Sequence, residues 1–215
     1  IGKNETWSPE YLALNPNGKI PAIIDPNGPG GKPLALFESG AILIYLAEKT
    51  GRLLSADPAT RYQTIQWLMF QMAAVGPMFG QLGFFHKFAG SGYEDKRPRD
   101  RYAAESKRLL GVLEARLEGR DWLMDDYSIA DIATLGWVRN LIGFYGAAEL
   151  VALFGVFHGY LQAAFGAAHL LGGERDIAQR LPCAPLERVH HDSGLAVGNL
   201  NGEVLQEVEG QPLER

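Results

Sequence analysis

Residues 36–51 read LFESGAILIYLAEKTG and decide the fold of the first quarter of the chain. An apolar run ends at Phe37, and apolar residues recur at helical spacing from Ile42 onward. Gly51 is a typical stop for such a helix. Two polar residues, Glu38 and Ser39, stand where the helix is predicted to begin. Their role is the first question that the sequence raises.

A β-hairpin is predicted immediately before this helix. KIPAIID at residues 19–25 and LALF at residues 34–37 are short apolar runs, and PNGPGG between them is dense in turn formers. The turn resembles a phosphate loop only in its glycines, because Lys32 is followed by Pro33 where a phosphate loop has Ser or Thr. We interpret it as a hairpin turn.

Helical patterns dominate the rest of the chain. After Gly51 no strand pattern recurs for about 120 residues. Pro58 begins an apolar-periodic helix that runs through Phe79, and a second helix is predicted at about residues 99–117. We place a boundary at about residues 51–57. The predicted fold class is α+β, with a small β-containing domain followed by an all-α C-terminal domain.

The clearest helix start lies in YSIADIA at residues 127–133. Ser128 is the expected N-cap, and Asp131 takes the acidic position of a capping box. This arrangement is a local folding signal and carries no chemistry of its own.

Composition argues against several functional classes. Of 215 residues, 47% are hydrophobic and 21% are charged, as in globular proteins. No apolar run reaches the roughly 18 residues of a membrane span, and the net charge of -5 argues against a nucleic-acid binder. We expect a cytoplasmic protein that has no membrane or nucleic-acid partner.

Cysteine and histidine give no sign of a disulfide framework or a metal site. The single cysteine, Cys183, fits a reducing compartment and has no partner motif. The five histidines show neither zinc-helix nor zinc-finger spacing, so we predict no metal. The absence of a Gly-x-Ser-x-Gly elbow argues against an ordinary hydrolase.

The Glu-Ser pair suits a zwitterionic ligand. A helix start presents unpaired N–H groups and the positive end of the helix dipole, so it attracts a carboxylate, to which Ser39 can add a hydroxyl donor. Glu38 would repel that carboxylate but can hold an ammonium group. The pair therefore fits the end of an α-amino acid. The alternative is that Ser39 only caps its helix and Glu38 lies near the dipole.

Pro21 adds a second binding element. A proline inside a strand pattern cannot donate to the ladder, so it lies at an edge or a bend. If the peptide bond before it is cis, Ile20 turns its backbone groups toward a ligand and can pair with an extended peptide. An edge that holds an extended peptide beside a pocket for its zwitterionic end describes a glutathione site.

Three stretches resemble the glutathione S-transferase family: NPNGKIPAI at residues 15–23, LFESGAILIYLAEKTG at 36–51 and YSIADIA at 127–133. The resemblance runs in order from about residue 3 to residue 150. It is nearest to the bacterial Nu-class-like branch, related to the yeast nitrogen-regulator prion protein, whose members often reduce disulfides with two bound glutathiones. It implies a thioredoxin-like first domain and an all-helical second domain.

The resemblance also implies an activity and a set of roles. The expected reaction is glutathione-dependent thiol transfer to electrophiles or reduction of disulfides; the alternative is a noncatalytic glutathione-binding or regulatory protein on the same fold. Ile20 would pair with the cysteine backbone of glutathione, cis Pro21 would set that geometry, and Glu38 with Ser39 would hold the γ-glutamyl end. The two remaining implied contacts are Thr6, near the glycyl end, and Arg101, reaching from the helical domain.

Two regions depart from the family pattern. Family members have a first strand and helix before the position of Lys3, and we expect the thiolate-stabilising catalytic group there. A free thiol has a pKa of about 8.5, so we expect this chain by itself to bind weakly and catalyse poorly. After about Leu150 we expect a change of reading frame. The resulting domains are 1–51, 58–182 and a tail at 183–215 that we expect to be disordered.

The sequence specifies the second substrate and the oligomeric state less closely than it specifies the glutathione site. A small hydrophobic electrophile or a disulfide is the expected second substrate, and the resemblance implies a homodimer. Met78, Phe79 and residues 84–88 are candidate lining for a hydrophobic site, with simple core packing as the alternative. KRPRDR at residues 96–101 is the one basic cluster, and apart from Arg101 we interpret it as a solvated loop and helix start.

Overall fold

The structure is a computed structural model that describes residues 5–170, with side chains described through Ala163. The chain divides into two compact units between Arg52 and Leu53, and their described parts are residues 5–52 and 53–170. The predicted tail at 183–215 and Cys183 lie outside the described residues.

The first unit is a hairpin with a helix at each end. Its elements are α1 (Pro9–Leu14), β1 (Ala22–Asp25), β2 (Leu34–Phe37) and α2 (Ser39–Thr50), with short 3-10 turns at Glu5–Trp7 and Pro29–Gly31. The strands pair antiparallel, Ala22 opposite Phe37 and Asp25 opposite Leu34. α2 ends at Gly51, whose φ of 66° is the left-handed conformation that glycine adopts most readily. The predicted hairpin and helix are confirmed.

The second unit is helical throughout its described part. Its helices are α3 (Pro58–Phe70), α4 (Gly76–His86), α5 (Arg97–Leu117), α6 (Ile129–Ile142), α7 (Ala148–Val151) and α8 (Val156–Leu170). A π-helical turn, Gln71–Val75, joins α3 to α4, so one helix continues seven residues past the predicted end at Phe79. The α+β prediction is confirmed, since β1 and β2 are the strands of the described residues.

The core of the second unit forms where α4, α5 and α6 meet. Phe79, Leu110, Leu113 and Leu141 are fully buried there. By length and composition alone, Pro58–His86 could cross a membrane, which we did not expect from the sequence. Such a finding is weak evidence for a span, because the core helix of a soluble protein passes the same test, and this helix supplies Phe79 to the core.

The capping box at the start of α6 is confirmed and is larger than the sequence indicated. The buried carboxylate of Asp131 accepts from the N–H of Ser128 at 2.9 Å and from its hydroxyl at 3.0 Å. It also accepts from the N–H of Leu123 at 2.8 Å and the hydroxyl of Tyr160 at 3.0 Å. Burial raises the pKa of Asp131, and these four donors oppose that effect. The carboxylate therefore ties α6 to α8 and to the loop before the cap.

Residues beyond Leu150 continue this fold. Val151, Phe157 and Tyr160 are buried in the same core as α5 and α6. The predicted change of reading frame after about Leu150 stays a prediction.

Candidate functional site

The two halves of the predicted site meet at the open end of the hairpin. Ala22 lies opposite Phe37, and residues facing each other across antiparallel strands have Cα atoms about 4.5–5.5 Å apart. Pro21 precedes Ala22 and Glu38 follows Phe37, so the strand register brings both to the same end. We call Ile20, Pro21, Glu38 and Ser39 together the hairpin site.

The backbone before β1 has the predicted form. The Ile20–Pro21 peptide bond is cis, which confirms that expectation. Two side chains fix the residue that precedes Ile20. The Lys19 carbonyl accepts from the Tyr11 hydroxyl at 2.8 Å and from the Asn15 side-chain amide at 2.5 Å. Sequence reasoning missed these two supports. The Asn-Pro pair at residues 15–16 is typical of a turn, but no pattern shows where side chains of the turn will point.

Glu38 occupies an unusual backbone position at the start of α2. It is the N-cap residue, with φ 70° and ψ 115°, and its side chain makes no capping hydrogen bond. Ser39 is the first helical residue instead, so the capping alternative is wrong about which residue caps. A non-glycine residue in a sparsely populated conformation costs about 1–3 kcal/mol and is most often kept at functional sites. The exposed Glu38 carboxylate therefore does not cap α2, and its predicted role in binding stays a prediction.

The start of α2 can hold an anion beside this carboxylate. The Ile42 N–H already donates to the Glu38 carbonyl, whereas the N–H groups of Gly40 and Ala41 have no partner inside the helix. These groups and the helix dipole attract a carboxylate. A ligand that carries both an ammonium group and a carboxylate could therefore find a partner for each charge within residues 38–41.

A second polar cluster fixes the other end of the hairpin. Asp25 accepts from the Tyr45 hydroxyl at 2.5 Å, from the Asn27 N–H at 2.9 Å and from the Lys49 ammonium. Lys49 and then Tyr45, as hydrogen-bond donors, lower the pKa of Asp25 to about 2. Because Asp25 ends β1 and the other two side chains belong to α2, this cluster binds the helix to the hairpin turn.

Thr6 and Arg101 are the two remaining predicted contacts. Thr6 is half-buried in the 3-10 turn before α1, and no hydrogen bond among the described residues joins it to the other predicted residues. Arg101 is exposed in the first turns of α5, in the second unit. Their predicted roles stay predictions.

The two other arginines of the basic cluster are paired with acids. Arg97 donates to Asp95 at 2.6 Å and Arg99 to Asp100 at 2.7 Å, all four side chains being well exposed. Within the described residues, no group of three or more acidic, His or Cys side chains could hold a metal.

Only some of the candidate lining residues are exposed enough to contact a ligand. Phe79 is fully buried in the core, so of the two alternatives core packing is the one that holds for it. Phe85 stacks on Tyr102 with ring centroids 5.5 Å apart, and Tyr93, half exposed, contacts Phe84 and Phe85 edge-on. Tyr93 and Tyr102 were missed, because neither belongs to the helix that supplies the phenylalanines.

Comparison with known proteins identifies the family. Residues 1–48 match the N-terminal domain of glutathione S-transferases. A glutathione transferase of Burkholderia graminis, crystallised with two glutathione molecules per subunit, is 70% identical with a TM-score of 0.71, over 77% of this chain and 69% of that one. The chain belongs to the glutathione S-transferase family. Its fold is therefore a thioredoxin-like N-terminal domain followed by helices, as the sequence predicted.

Other members of the glutathione S-transferase family are similar too. A Pseudomonas putida glutathione transferase, crystallised with one glutathione disulfide per subunit, is 59% identical with a TM-score of 0.72, over 84% of this chain and 77% of that one. The disulfide-bond oxidoreductase YfcG of Escherichia coli is 49% identical over 141 residues, 65% of each chain. The chain spans between 52% and 65% of the length of the first three curated relatives that it matches.

Proposed function

We propose that the hairpin site binds the γ-glutamyl-cysteinyl part of glutathione. The observation that supports the proposal is the strand register, which pairs Ala22 with Phe37 and so brings residues 20–21 and residues 38–39 to the same end of the hairpin. An extended peptide that pairs with Ile20 would then direct its next residue toward the start of α2. This arrangement suits a peptide whose neighbouring unit ends in an α-amino acid group.

Two different groups of the site would bind the two charges of the zwitterionic end. The first N–H groups of α2 and the Ser39 hydroxyl would bind the α-carboxylate, and Glu38 would bind the ammonium. Both contacts are charge-assisted. The exposed position of Glu38 and its lack of a capping bond support this division.

The reaction we propose is glutathione-dependent reduction of disulfides or transfer of the glutathione thiol to small hydrophobic electrophiles. In the reduction, a glutathione thiolate attacks a disulfide, forms a mixed disulfide and releases one thiol. A second glutathione attacks the mixed disulfide, which gives glutathione disulfide and the second thiol. The relatives crystallised with two glutathiones or with glutathione disulfide support this sequence, as does the oxidoreductase YfcG.

Two further contacts complete the proposal. Thr6 would lie toward the glycyl end, and Arg101 would reach the ligand from the helical domain. We also propose that the protein is a cytoplasmic homodimer that needs no metal. Size-exclusion chromatography with light scattering tests the assembly, and a monomer at micromolar concentration would contradict it.

The direct test is an NMR titration of the full chain with glutathione, since chemical shifts detect affinities as weak as millimolar. Glu38→Ala should weaken binding at least tenfold, because a hydrogen bond to a charged group contributes about 1.5–3 kcal/mol. Glu48→Ala is the matched control, because it removes a carboxylate from the far end of the same helix. Equal affinity in the two variants would refute the placement of the ligand.

Turnover separates the enzyme from the noncatalytic alternative. The chain is assayed with glutathione and 2-hydroxyethyl disulfide for reduction, and with 1-chloro-2,4-dinitrobenzene for conjugation. Turnover that falls in Glu38→Ala supports the proposed activity. Binding at the hairpin site without either turnover would favour a binding or regulatory role.

A further inference from the structure

The support behind Ile20 is built from two side chains that converge on one carbonyl. The Lys19 carbonyl accepts from both the Tyr11 hydroxyl, at 2.8 Å, and the Asn15 amide, at 2.5 Å. Burial raises the pKa of Tyr11, so its hydroxyl is a proton donor at neutral pH. Two donors to one carbonyl fix the orientation of the peptide unit between Lys19 and Ile20.

The two donors are themselves held in place by α1. Ser8 caps this helix by accepting from the Tyr11 N–H at 3.2 Å. Asn15 ends it, is only 2% exposed, and donates its own N–H to the Tyr11 carbonyl at 2.8 Å. The side chain of Asn15 also accepts from the Asn17 N–H at 3.0 Å. Both supports therefore belong to a structured turn rather than to free surface side chains.

Fixing this carbonyl also fixes the direction of the Ile20 N–H. A trans peptide unit is planar, and its C=O and N–H point in opposite directions. The Lys19 carbonyl points to Tyr11 and Asn15, so the Ile20 N–H points away from them. Within the described part of the chain, no residue accepts a hydrogen bond from this N–H. Hydrogen bonds to the carbonyl also polarise the peptide unit and strengthen its N–H as a donor.

We infer that Tyr11 and Asn15 are positioning residues that aim the Ile20 N–H at the carbonyl of the ligand's central residue. The inference rests on the proposed function, because it assumes a γ-glutamyl peptide at the hairpin site. It also gives a basis for specificity, because ligands that carry a peptide carbonyl after the γ-glutamyl unit can accept a hydrogen bond from the Ile20 N–H. γ-Glutamyl amines without that carbonyl gain nothing from it.

Two ligands that differ in this carbonyl provide the test. γ-Glutamylalanylglycine keeps the peptide and lacks only the thiol, whereas γ-glutamylethylamide ends before the carbonyl. In NMR titrations of the full chain, Tyr11→Phe should raise the Kd of the tripeptide about 3- to 10-fold, as expected for one hydrogen bond. The Kd of γ-glutamylethylamide should stay within about twofold.

A matched control and a second variant keep the result interpretable. Tyr45→Phe removes a hydroxyl that is hydrogen-bonded to Asp25 at the other end of the hairpin. In this variant the ratio of the Kd of the tripeptide to the Kd of γ-glutamylethylamide should not change. Asn15→Asp replaces the donor by a carboxylate and should change the ratio in the same direction as Tyr11→Phe. Tyr11→Phe weakening both ligands equally, or neither, would overturn the inference. If the unaltered chain binds neither ligand, the proposed function itself fails.

Discussion

Ala22 lies opposite Phe37 in the hairpin, and this pairing places the cis-proline bend of one strand beside the Glu-Ser junction that follows the other. Neither segment alone makes a ligand site. A shift of the register by one residue would turn every side chain of the shifted strand to the other face. The proposed site is therefore a consequence of strand pairing as much as of its own residues.

The unusual backbone of Glu38 yields a prediction about stability. Glu38→Ala keeps the positive φ strained, whereas Glu38→Gly relieves it. We expect the glycine variant to be more stable than the alanine variant by about 1 kcal/mol, although both lose glutathione affinity. Urea denaturation of the two variants measures this difference. A glycine variant no more stable than the alanine variant would show that the backbone of Glu38 carries no strain.

The cluster around Asp25 predicts a pH dependence. Its pKa is about 2 in the folded chain, below the ordinary value of 3.8. A lowered pKa contributes stability above the unfolded value, and that contribution is lost as the pH falls from about 4 to 2. Asp25→Asn should therefore destabilise the hairpin at pH 7 and have little effect near pH 2. Hydrogen exchange of residues 20–50 at both values checks this, and a difference independent of pH would contradict it.

The carboxylate of Asp131 should be a major stabilising group of the helical unit. Ser128→Ala removes the N-cap and should cost about 0.5–2 kcal/mol. Asp131→Ala leaves the buried donors of Leu123 and Tyr160 without their acceptor and should cost at least about 3 kcal/mol. Thermal and urea denaturation give both values. A smaller loss for Asp131→Ala than for Ser128→Ala would mean that the network beyond the cap contributes nothing.

Close packing at Gly83 gives a steric prediction. A Cβ there would lie 2.3 Å from the Tyr145 ring, and Tyr145 is fully buried. Gly83→Ala should therefore destabilise the unit by about 1–3 kcal/mol. Gly136→Ala is the control, because it adds the same methyl group in helix α6 with nothing within 4 Å. Helix propensity makes the control neutral or slightly stabilising, and equal losses in the two variants would refute the packing argument.

The sequence predicted the helices and strands better than the side-chain contacts between them. Turn formers, Gly51 and the Ser128 capping box act over a few residues, so the hairpin, the end of α2 and the start of α6 could be predicted locally. The four residues of the hairpin site were predicted from the polar pair at a helix start, the proline in a strand pattern and the family motifs, and their binding role stays a prediction. Tyr11 escaped notice because its hydrogen bond to Lys19 depends on how a turn folds back on α1.

The same reasoning explains what the sequence left open in the helical unit. Phe79 follows an apolar period that is equally typical of core and of a binding surface, and only packing decides between them. The third and fourth partners of Asp131 come from residues 8 and 29 positions away. Contacts at such separations leave no short-range pattern.

The most direct test of the glutathione site is a map of amide chemical-shift changes in the full chain on titration with glutathione. The largest saturable changes should occur at Ile20 and at residues 38–41, because these residues would contact the proposed ligand. Saturable changes confined to other residues, or no changes up to tens of millimolar glutathione, would contradict the central claim.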